Sequence, residues 1–176
     1  MPEGNTPPTS GSSKKMLYII GGIVLLLILG WLVTRGLGGA MMGASGANMD
    51  RNMDGSTTYT DNQGNSATVG GSSMPENWPS DAPQNYAGAS IQYSGNSNPK
   101  TGEAGAAVVY TTRASVADVV AYYKTQLASS GWTVVGSANM GGATVVSATK
   151  AEQSFGVYIV DSGNGMVSVT AGVGMK

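Results

Sequence analysis

The sequence predicts an α+β domain, one amphipathic helix packed on an antiparallel sheet in the order β-β-α-β-β-β-β, preceded by a single transmembrane helix and a flexible linker. Three observations carry that expectation. Residues 16–33 are uncharged and almost wholly apolar, residues 115–130 hold one apolar stripe at helical spacing, and residues 155–161 and 167–173 alternate with period two.

The apolar run MLYIIGGIVLLLILGWLV, wound as a helix, is roughly 27 Å long at ~1.5 Å per residue, close to the ~30 Å hydrocarbon core of a bilayer. Tyr18 and Trp31 stand near its ends, and Lys14, Lys15 and Arg35 bracket it, as at a membrane span. The run is longer than the apolar part of an ordinary signal peptide, so an uncleaved anchor at 16–34 is expected. The two lysines before it put a disordered Pro/Gly/Ser/Thr tail at 1–15 in the cytoplasm and the rest of the chain outside it. The expected location is the cell membrane, single-pass, with the lipid bilayer as one partner.

Residues 35–73 are Gly-, Ser-, Asn- and Met-rich without a sustained period and read as a flexible linker. Two β-prone runs around Gly64 give it a candidate hairpin at 57–69. Residues 74–176 form the extracytoplasmic α+β domain. It begins with an extended segment at 74–88, where three prolines forbid a helix and Trp78 and Tyr86 are large enough to anchor the path on a core. In the helix, Ser115 caps the N-terminus with Asp118 three residues on, and Val116, Val119, Val120, Tyr123 and Leu127 share a face. Gly131 suits the left-handed position after the helix, with Trp132 placed to reach back to Leu127. Strands are expected at 90–94, 106–112, 132–135, 143–149, 155–161 and 166–173, joined by turn-forming runs such as Ser162-Gly163-Asn164-Gly165.

One further resemblance concerns the run Met74-Pro75-Glu76-Asn77-Trp78-Pro79-Ser80-Asp81-Ala82-Pro83 and the later Tyr122-Tyr123-Lys124, Leu127 and Gly131-Trp132. In these the chain resembles an uncharacterised family of small bacterial single-pass membrane-anchored proteins with an extracytoplasmic α+β domain. The resemblance implies the architecture and no activity.

Composition removes several kinds of chemistry. With nine basic and ten acidic residues and a formal charge of −1, there is no footprint for nucleic acid. Absence of cysteine excludes disulfides and thiolate metal sites, and absence of histidine removes the commonest general base. Asp50, Asn52, Asp54 and Gly55, with Asp61 at the twelfth position, match the spacing of a calcium loop. Asp61 stands where a bidentate Glu is usual, Thr57 where an apolar residue is, and no amphipathic helix flanks the run, so it reads as a solvated linker and no metal ligand is assigned. Ser147 and Lys150 spell S-x-x-K, but in a strand they face opposite ways. No phosphate loop or other cofactor motif is present, and no cofactor is expected.

Tyr110, Tyr122, Tyr123 and Tyr158 are candidates for a binding face, with Tyr123 claimed by the helical stripe. The expected function is a membrane-anchored extracytoplasmic binding or interaction module without enzymatic activity. Trp78, Tyr86 and Tyr122 are its candidate partner-binding residues, and its partner a protein or other component of the cell envelope. The alternative is a structural cell-surface protein that self-associates through poorly charged strand edges.

Overall fold

The computed structural model of the chain describes residues 48–62, 64–97, 104–140 and 142–175. Five strands come first: β1 (Asn48–Arg51), β2 (Thr57–Thr60), β3 (Ser66–Val69), β4 (Ser90–Ser97) and β5 (Ala104–Thr112). The helix α1 (Val116–Ser129) follows, and then β6 (Thr133–Met140), β7 (Ala143–Lys150), β8 (Gln153–Gly163) and β9 (Met166–Met175). All nine strands join one antiparallel sheet in the order β1-β2-β3-β4-β5-β9-β8-β7-β6. The helix carries the chain from β5 over the sheet to its far edge, and the meander β6 to β9 then returns to pair with β5.

Side-chain alternation decides which face is buried. Pairing sets Val157 opposite Val146 and Ala171, and sets Tyr110 opposite Val169, so Phe155, Val157, Ile159, Val167, Val169, Ala171, Val108 and Tyr110 share one face. On that face lies α1. Ser115 caps it, its Oγ accepting from the Asp118 backbone N–H at 3.1 Å and donating to the Asp118 carboxylate at 2.7 Å. Val119, Tyr123 and Leu127 point inward with no exposed surface, and burying each such side chain contributes roughly 1.5–3 kcal/mol. The helix ends where Gly131 turns to φ 76°, the Trp132 N–H reaching the Leu127 carbonyl at 2.9 Å and the Gly131 N–H the Ala128 carbonyl at 3.2 Å.

The segment before β4 completes the cover. Trp78 is buried edge-on to Phe155 with ring centroids 6.4 Å apart, and its Nε1 donates to the Pro83 carbonyl at 3.2 Å. Trp132 Nε1 donates to the Asp81 carbonyl at 2.7 Å. Lys150 Nζ reaches the Asp81 carboxylate at 2.6 Å and the Ser130 carbonyl at 2.8 Å, so the segment, the end of α1 and β7 meet at one ammonium.

The fold corrects the expected class. The expectation was one helix on a six-stranded sheet, behind a transmembrane helix and a flexible linker. Instead, the described residues form nine antiparallel strands with one short helix packed on the sheet, and β1 to β3 lie in the stretch read as linker. No helix among the described residues is long and apolar enough to cross a membrane, so the transmembrane, single-pass and signal-anchor description finds no support in this fold. The span expected at 16–34 and the tail at 1–15 lie outside the described residues.

Of β1 to β3, only β1 had no counterpart among the expected elements, and none of the three is held by apolar surface. Their glycines are turn residues, Gly55 at φ 85° and Gly64 at φ 82°, and β3 adds to the ready-made edge of β4 through Thr68 opposite Ser94 and Ala67 opposite Gly95. Residues 57–69, read as a candidate hairpin, hold β2 and β3.

Candidate functional site

The face that carries the core on β5 continues onto β4, β3 and β2, but its chemistry changes. Ser94 and Asn96 stand opposite Val108 and Ala106, Thr68 and Ser66 come next, and Thr58 and Thr60 after them. Hydroxyls and amides replace valines. The chain from Gly71 to Glu76 passes over this polar part, and a cleft of about 300 Å³ opens between it, the β1–β2 turn and the strands.

The hydrogen bonds along the cleft form a directed chain. Asn52 Nδ2 donates to Ser56 Oγ at 2.8 Å and to Thr58 Oγ1 at 3.0 Å, using both amide protons. Ser56 is buried, and its hydroxyl donates to Asp54 Oδ1 at 2.6 Å, as does its backbone N–H at 3.0 Å. Those two bonds, the hydroxyl's first, hold the Asp54 carboxyl below the usual carboxylate range. Thr58 and Thr68 meet hydroxyl to hydroxyl at 2.9 Å, and Ser66 donates to Asn96 Oδ1.

A count of donors and acceptors shows what is left over. Thr58 already accepts from Asn52, so whichever threonine donates to the other, one hydroxyl proton of the pair remains. Asn52 Oδ1, Asp54 Oδ2 and the Glu76 carboxylate remain as acceptors, and Asn96 Nδ2 as a donor, with no partner among the described residues. Among the described residues no lysine or arginine lines the cleft. It offers a mixed set of neutral donors and acceptors beside two carboxyl groups.

Of the residues singled out from the sequence, Asn52 and Asp54 line the cleft, and the candidate partner-binding residues lie elsewhere. Trp78 is in the core at 9% exposure. Tyr86 and Tyr122 are brought together, half-buried and edge-on at 5.2 Å, and the Tyr122 hydroxyl donates to the carbonyls of Gln84 and Asn85. Tyr110 and Tyr123 meet beneath the helix with their hydroxyls 2.9 Å apart, and Tyr158 is half-buried on the opposite sheet face, beside Val145 and Thr170.

The calcium-like spacing is divided between two turns. Asp50 sits on β1, Asn52 and Asp54 in the β1–β2 turn, and Asp61 in the β2–β3 turn, where its carboxylate accepts from the Asn65 backbone at 2.9 Å and side chain at 2.7 Å. Among the described residues no three metal-ligating side chains gather. Ser147 faces Gly156 across the strands while Lys150 is held by Asp81, so the S-x-x-K pair is not assembled.

The rest of the cleft carries no such motif, because Ser, Thr and Asn in a glycine-rich stretch resemble a linker. A usable signal was there: Thr58 and Thr60, Ser66 and Thr68, and Ser94 and Asn96 repeat polar groups at a spacing of two, one face of a sheet.

Residues 91–166, from β4 through α1 to the start of β9, match the profile of a family described as START domain-like. No curated protein and no solved structure matches the chain.

Proposed function

We propose that this chain is a non-enzymatic ligand-binding module whose cleft takes a small, neutral, hydroxyl-rich molecule, a saccharide or polyol. The START domain-like likeness of residues 91–166 suggests a ligand-binding module. The space beneath α1 does not offer the place, because Tyr123, Leu127, Phe155 and Ile159 fill it at 0–1% exposure. The cleft beside Asn52, Thr58, Thr68 and Asn96 does.

The observation that carries the reading is the set of groups left over after the internal hydrogen bonds are counted. A sugar hydroxyl both donates and accepts, so neighbouring hydroxyls can serve Asn52 Oδ1 and Asp54 Oδ2 as well as the threonine proton and Asn96 Nδ2. Asp54 and Glu76 disfavour an anionic ligand. The non-enzymatic part has its own support: the chain has no histidine or cysteine, and a carboxylate held as acidic as Asp54 is a poor base for the Ser56 hydroxyl. Saccharide chemistry also suits the cell-envelope partner expected from the sequence.

Calorimetric titration of the full chain with neutral oligosaccharides and with uronic acids tests the reading. Saturable heat is expected from a neutral sugar and none from the acids, with Thr68→Val and Asn96→Ala each weakening binding up to about tenfold, the worth of one hydrogen bond. Silence at tens of millimolar sugar contradicts the ligand class. Turnover of a bound sugar contradicts the non-enzymatic reading.

A further inference from the structure

An open sheet has two edges, and here they are unlike. β1 is four residues long and carries Asp50 and Arg51. β6 runs for eight residues, Thr-Val-Val-Gly-Ser-Ala-Asn-Met, without a charge or a proline, and all but Gly136 of it is exposed. Of the five large apolar side chains exposed among the described residues, three stand on β6: Val134 at 38%, Val135 at 50% and Met140 at 56%. Edge strands are normally guarded by charge, proline, shortness or a bulge. β6 has only the last of these, a register shift between Val134 and Gly136, which leaves Gly136–Met140 in regular pairing with β7.

We infer that β6 pairs antiparallel with β6 of a second copy, joining two sheets about a two-fold axis perpendicular to both. The strand is self-complementary in that arrangement. Its two ends are apolar, Val134-Val135 and Met140, and its middle, Gly136-Ser137-Ala138, is small. Antiparallel apposition pairs the exposed backbone edge of Gly136–Met140, where the ladder to β7 is regular, with the same edge of the other copy, and the small middle lets the backbones approach. Because β6 bears no charge, nothing on it repels its own copy or selects a charged partner. The axis leaves the helices of both copies on one face of the joined sheet, and the clefts, on β1 to β4, at the two far ends.

Sedimentation velocity on the full chain, combined with hydrogen exchange across a concentration series, tests this. Expected are a species of twice the chain mass and slowing of amide exchange in Thr133–Met140 as concentration rises, with no such change in Asn48–Arg51. The double variant Val135→Lys/Met140→Lys places charge on an exposed edge without touching the core. It should keep its circular dichroism and raise the dimer dissociation constant at least 100-fold. A monomer at all concentrations overturns the inference. So does a dimer that survives the double variant, or one whose β6 amides exchange equally fast throughout, since it is then held by another surface.

Discussion

Tyr110 and Tyr123 are fully buried, and their hydroxyls share one hydrogen bond in the core beneath α1. Burial pushes the Tyr110 phenol up to about 12 and Tyr123 well above its ordinary value, so both stay protonated in the fold where an unfolded chain would ionise near pH 10. Their contribution is therefore fully present below pH 10 and is lost as the pH rises from there through about 12. For Tyr110 alone the loss is on the order of 2–3 kcal/mol. Urea denaturation between pH 8 and 12 should show that fall, and Tyr110→Phe should flatten it. An unchanged slope in the variant means that the pair does not set the alkaline limit. At this scale Tyr123 was legible from its place in the helical stripe. Tyr110 was not, because nothing in a strand of alanines, valines and threonines announces which tyrosine meets a hydroxyl of the helix.

The helix α1 was legible almost to the residue, because its stripe, its serine cap and its terminal glycine all state the same thing. Gly131 makes that ending testable. Its φ of 76° suits glycine, and a Cβ there meets only Lys150 Cε at 3.9 Å, an ordinary contact. Gly131→Ala should therefore cost the backbone penalty alone, about 1–2 kcal/mol, read as a lower urea midpoint with unchanged slope. A neutral result contradicts the left-handed ending. The strands of the core were legible where valine and phenylalanine alternate, as in β8 and β9. β6 runs five residues beyond the expected 132–135 because pairing with β7, rather than its own composition, carries it to Met140. β1 illustrates the same limit, whereas the hairpin expected at 57–69 is present as β2 and β3 but extends the main sheet instead of standing in a linker. Cross-strand hydroxyl pairs such as Thr58 with Thr68 join these strands, which carry little apolar surface.

Across the whole molecule, one sheet face changes from an apolar core to a polar cleft without a break in the strand pairing. The cover of the core joins distant parts of the chain, with Trp78 on Phe155, Trp132 on Asp81, and Lys150 between Asp81 and Ser130. The proline-aromatic segment at 74–88 was read both as an anchored path and as a source of partner-binding residues. The fold uses Trp78 to fasten that path and sets Tyr86 against Tyr122 at its end. Its start, from Met74 to Glu76, becomes one wall of the cleft, a role that only the three-dimensional pairing of β3 with β4 creates.

Amide chemical-shift mapping of the full chain, titrated with a neutral oligosaccharide at pH 7, tests that cleft most directly. The predicted result is a set of saturable shifts confined to residues 52–58, 66–76 and 94–96, with the residues of α1 unmoved. Saturable shifts centred on α1, or none at all up to tens of millimolar sugar, contradict it.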